Sequence, residues 1–134
     1  MNTFLEPLRP HLLLIGRVLL AAMFIQAGWG KISAYEATQG YMAAMGVPGG
    51  LLPLVILAEL GGGLAILLGF LTPVAALGLA VFSVIAAVLF HGGDDPAQQI
   101  HFMKNLSIAG GLVVLAAAGG GRASIDALIQ RNRR

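Results

Sequence analysis

Six side chains able to hold charge or hydrogen-bond a ligand stand in otherwise apolar sequence: Arg17, Lys31, Glu59, His101, Lys104 and Asn105. A charge near the centre of an apolar span costs about 2.5–3.5 kcal/mol on insertion scales, so such groups pair or face a cavity. Here three cations, Arg17, Lys31 and Lys104, accompany one carboxylate, Glu59. Two arrangements satisfy that pattern. In one, Glu59 pairs with a cation and locks helices together. In the other, the surplus cations leave donors for an external acceptor: a quinone carbonyl, a lipid phosphate or an anionic substrate.

Spacing groups these residues. Arg17, Ala21, Phe24, Gly28 and Lys31 recur at steps of four and three, which is one face of a helix. His101, Lys104, Asn105 and Ile108 share another face. Glu59 shares a face with Gly63, beside a ridge of small residues, Ala58, Gly62, Ala65 and Gly69, that admits a neighbouring helix closely. At about 1.5 Å per residue, Glu59 lies roughly 12 Å inside one end of its span. On the same rise, Lys104 and Asn105 lie about 6–8 Å in from that side, and Arg17 about 8 Å in from the other. The expectation is a polar cluster converging on Glu59.

Other chemistry is excluded or weak. The chain has no cysteine, which removes disulfides, thiol redox chemistry and thiolate metal sites. His91 and His101 flank Asp94 and Asp95, but a glycine-rich loop of that kind reads as solvated, and no metal is expected. The methionines are scattered and read as packing. There is no nucleophile triad, phosphate loop, haem motif or nucleotide fingerprint, so no catalytic motif stands alone. A net charge of +2 without a basic run gives no nucleic-acid signal.

The positioning elements are apolar runs. The chain is 57% hydrophobic and 10% charged, against about 25% charged in soluble domains. Runs near 12–30, 51–70, 73–90 and 100–119 approach the about 20 residues that cross a bilayer as helix. They predict an all-α membrane bundle of four spans within a single domain, residues 1–134. "LTP" makes a tight hairpin, with Pro73 at a helix start. Only the Lys31–Gly50 linker is long enough to carry structure of its own. Arg17 interrupts the first run and no A-x-A site follows, so it reads as a span and not a signal peptide. Trp29, Tyr35 and Tyr41 form an interfacial belt. "SIDALIQRNRR" predicts a short interfacial helix on anionic lipid, capped by Ser124. Arginines at both termini and none in the loop between spans three and four place both termini in the cytoplasm.

The order "GRVLLAAMFIQAGWGKI", "MGVP", "LAELGGGLAILLGFLTP", "KNLSIAGG", "GGGRASID" resembles the DoxX family of small bacterial inner-membrane proteins. The resemblance covers nearly the whole chain. It rests on Arg17, Gly28, Lys31, Gly46, Pro48, Glu59, Gly62, Gly63, Gly69, Asn105, Gly121, Arg122 and Asp126. It implies a four-helix membrane protein. Some members are similar to the quinone-linked subunit of a thiosulfate:quinone oxidoreductase, and others are associated with membrane redox or oxidative-stress complexes. The expectation is therefore a membrane subunit of a redox-linked system, with redox partner proteins, in which the polar cluster holds a quinone or other small amphiphile. The rival expectations are a non-catalytic scaffold and a small transporter; a homo-oligomer is compatible with each.

Overall fold

The structure, a computed structural model, describes residues 3–134. Helix α1 runs Arg9–Ser33 after a single 3-10 turn, Glu6–Leu8. A short helix, α2 (Tyr35–Ala44), occupies the long linker. The second span is built in pieces: a 3-10 turn Gly49–Leu51, α3 (Leu52–Ile56), a π-turn Leu57–Gly61, and α4 (Gly62–Leu68). Then come α5 (Thr72–Phe90), α6 (Pro96–Ala118) and α7 (Ile125–Asn132). Among the described residues, four stretches are long and apolar enough to cross a membrane: Glu6–Ser33, Gly49–Leu68, Thr72–Phe90 and Pro96–Ala118.

Local chemistry starts these helices. Proline stands in the first two positions of α1, α3, α5 and α6 (Pro10, Pro53, Pro73 and Pro96), where its missing N–H has no helical partner to lose. Asp95 caps α6 by accepting from the Ala97 N–H at 3.2 Å, and Ser124 caps α7 through the Ala127 N–H at 3.2 Å. The helices follow the expected spans and overrun some of their limits by up to four residues, at the start of α6.

The core is thin and made of small and branched residues: Ala21, Phe24, Ile66, Ala76, Leu79, Ala80, Ala109, Leu112 and Leu115. Large apolar side chains face outward, Leu19, Val74 and Val114 each being about 70% exposed (70%, 69% and 69%). That inversion is what a bilayer solvent requires. Glycines let the spans meet. A Cβ on Gly28 would stand 2.9 Å from Leu60 Cβ, and one on Gly63 would stand 3.0–3.2 Å from Ile25 and Phe24. A Cβ on Gly62 of the small-residue ridge would stand 3.0 Å from the Leu79 side chain of α5, so the glycine permits the close approach. Gly69 acts otherwise. It ends α4 in the left-handed conformation at φ 68°, and a side chain there would collide with Ser124 and Arg17. Leu71 is the non-glycine residue at positive φ, 47°, in this tight α4–α5 hairpin.

Candidate functional site

The buried carboxylate and one lysine form a single pair. Lys31 Nζ donates to both Glu59 oxygens, at 3.0 Å to Oε1 and 2.9 Å to Oε2. The Glu59 side chain is 8% exposed and that of Lys31 29%. The π-turn sets this up. Its wider turn carries Glu59 inward toward α1, whose last turn brings Lys31. Single π-turns inside α-helices are frequent at functional sites.

The pair lines a cavity of about 430 Å³, within the range of small-molecule sites. Its walls are mostly apolar. α1 contributes Met23, Phe24 and Ala27; α5 contributes Phe82, Ile85, Ala86 and Leu89. α2 roofs it with Thr38, Tyr41 and Met42, and Tyr41 stacks on Phe90 with ring centroids 5.7 Å apart. Gln39 Nε2 donates to the Gly49 carbonyl at 3.2 Å, tying α2 to the start of the second span. The polar lining besides the pair is Thr38, Tyr41, Ser83, His91 and Asn105. The Ser83 hydroxyl already donates to the Leu79 carbonyl at 2.8 Å.

The six residues singled out from the sequence do not converge. Lys31, Glu59 and Asn105 share the cavity. Lys104 is exposed and outside it. His101 is also exposed, its ring 5.1 Å from that of His91, while His91 Nδ1 lies 2.7 Å from Gln98 Oε1. Among the described residues no three potential metal ligands cluster.

Arg17 sits at the end where the termini lie and is fully engaged there. Nε donates to the Ile66 carbonyl at 3.0 Å and Nη2 to that of Leu67 at 2.7 Å. Nη1 donates to the carbonyls of Gly120 at 2.8 Å and Ala123 at 2.7 Å. A buried guanidinium at 1% exposure thus caps two carbonyls at the end of α4, those of Ile66 and Leu67, and fastens the segment before α7. Two of the three cations read from the sequence are therefore accounted for, Arg17 by carbonyls and Lys31 by Glu59, while Lys104 stands on the exposed face of α6.

Sequence reading gave Asp126 no chemical role. Its carboxylate accepts from the Leu71 N–H at 2.7 Å and the Thr72 N–H at 2.9 Å, capping α5 from a distant part of the chain. Its own N–H donates to the Gly69 carbonyl at 2.9 Å. Burial pushes the Asp126 carboxyl up, but the Thr72 and Leu71 hydrogen bonds and the Arg17 charge outweigh it and hold it below the ordinary aspartate value. The sequence cue was an acid in the first turn of a capped helix, which by itself reads only as dipole compensation.

Four lipid-facing spans around a roofed, largely apolar cavity headed by one ion pair define the class: a multi-pass α-helical membrane protein. The model of the DoxX family matches residues 12–92, spanning α1 to α5 and the pair itself. Inner membrane protein YqjF of Escherichia coli (strain K12) is 54% identical over 119 residues, covering 88% of this chain and 92% of the relative. Inner membrane protein YphA of the same organism is 35% identical over 126 residues, covering 88% and 90%. No solved structure matches significantly. The chain belongs to the DoxX family of inner-membrane proteins.

Proposed function

We propose that this chain is a membrane subunit of a redox-linked system and that its roofed cavity holds a quinone-like small amphiphile. The observation that carries this is the Lys31–Glu59 pair standing at the wall of an apolar cavity of about 430 Å³. A quinone carbonyl would take a charge-assisted hydrogen bond from Lys31, worth about 1.5–3 kcal/mol. Glu59 would accept from a ligand hydroxyl and exchange its proton, with Asn105 as a further donor. The ring would lie among Phe24, Phe82 and Leu89, and α2 would admit it by moving. Electrons would come from a partner protein. By the distribution of arginines, both termini face the cytoplasm and the cavity lies toward the opposite side.

The test is extraction of the chain in mild detergent and mass spectrometry of what accompanies it. Wild type should carry an isoprenoid quinone or similar amphiphile near one per chain, and Lys31→Met/Glu59→Met should carry none. Equal loading of the two proteins, or an empty wild type, would contradict the reading.

A further inference from the structure

We propose that a second site, a cleft at the end bearing the termini, binds the phosphate group of an anionic phospholipid. The cleft measures about 960 Å³ and lies between the start of α1, the α4–α5 hairpin and the tail that carries α7. Three arginines from separate segments line it: Arg9 at the head of α1, Arg122 in the α6–α7 loop and Arg133 just past α7. None forms an ion pair among the described residues, where the salt bridge is Lys31–Glu59. Two carboxylates share the cleft, Glu6 and Asp126, but Asp126 is committed to the Leu71 and Thr72 N–H groups. Three arginines against two carboxylates leave the cleft net positive, with planar donor forks that match phosphate oxygens two at a time.

The occupant is a lipid and not free phosphate because of what stands beside the arginines. Phe70, Leu71 and Ile129 line the same cleft and are 42%, 54% and 37% exposed. Such a lining suits the glycerol and first acyl carbons below a phosphate. Depth agrees. The 19 residues of α5 span about 28 Å, close to the about 30 Å of a hydrocarbon core, so the hairpin that borders the cleft lies at headgroup level.

The experiment titrates a fluorescent short-chain phosphatidylglycerol into the full chain in neutral detergent, with phosphatidylcholine as comparator. Saturable binding of the anionic lipid is expected, at least about tenfold tighter than the zwitterionic one. Each of Arg122→Gln and Arg133→Gln should weaken it about fivefold, the scale of one basic residue at an anionic surface. Arg134→Gln removes the same charge from the same tail outside the cleft and should change binding less than about twofold. Should Arg122→Gln fail to fold, Arg122→Lys keeps the charge but loses the fork, and it should bind between wild type and Arg133→Gln. A loss with Arg134→Gln equal to that with Arg133→Gln would reduce the effect to diffuse attraction and overturn the proposal. So would equal binding of the two lipids. Displacement of the lipid by inorganic phosphate, beyond that by chloride at matched ionic strength, would assign the site to free phosphate instead.

Discussion

Glu59 and Arg17 look alike in the sequence, each one charge in an apolar run, yet they face different partners and should respond differently to substitution. Removing one member of a buried pair strands the other. Lys31 is partly exposed, which moderates that penalty. Glu59→Gln should therefore cost about 1–3 kcal/mol, less than the 3–5 typical of a fully buried pair. Lys31→Met/Glu59→Met should recover most of that stability, because both charges leave together. Thermal melting of the single and double variants in one detergent checks this, and a double variant weaker than either single one would sink it. Arg17→Met leaves the carbonyls of Leu67, Gly120 and Ala123 without a donor, while that of Ile66 keeps the Gly69 N–H, and should cost at least about 3 kcal/mol. The two residues were legible as intramembrane charges. Their partners were not. Three cations were equally eligible for Glu59, and backbone carbonyls, which any residue supplies, leave no mark in a sequence.

At the scale of elements, the spans were legible because length and hydropathy fix them, and the helix start at Pro73 was visible; the starts at Pro10, Pro53 and Pro96 went unread. The π-turn was not legible, since nothing in "LAELG" distinguishes it from α-helix, yet it is the segment that holds the buried Glu59. Glycine packing separates in a testable way. Gly28→Ala would drive a Cβ to 3.0 Å from the Leu60 backbone N and should destabilise by about 1–3 kcal/mol. Gly30→Ala, two residues on, meets nothing within 4 Å and should fall within about 0.5 kcal/mol of wild type. Equal melting temperatures for the two would show that α1 does not press on the π-turn. The α7 docking carries a pH signature. Asp126 is held below its ordinary value in the fold, so its contribution is present above the unfolded value of about 3.9 and is lost as pH falls through the folded value. Asp126→Asn should cost about 1 kcal/mol at pH 7 and flatten the acid limb of stability below about pH 4. An unchanged acid limb in that variant would remove Asp126 from the account.

For the whole molecule, the chain separates two polar systems along its length. One end is a structural knot of Arg17, Asp126, Gly69 and the tail; the other holds a cavity with an ion pair. The sequence suggested a single converging cluster, but Arg17 and Lys31, 14 residues apart on one face of α1, stand about 21 Å apart along it, and packing turns Lys104 and His101 outward. Orientation is testable directly, since the chain has no cysteine. Gly93→Cys, where a Cβ meets only the Gln98 side chain at 3.9 Å, should react with a membrane-impermeant maleimide once the outer membrane is permeabilised. Asn132→Cys should react only after lysis; the reverse pattern would invert the topology.

The central claim is that the Lys31–Glu59 cavity takes a quinone-like ligand. Its most direct test is equilibrium binding of ubiquinone-1 to the chain in quinone-free lipid nanodiscs. Wild type should bind saturably at one per chain, and Lys31→Met/Glu59→Met, folded and melting near wild type, should bind about tenfold more weakly or worse. Equal affinity of the two proteins, or no saturable binding by wild type, would contradict it.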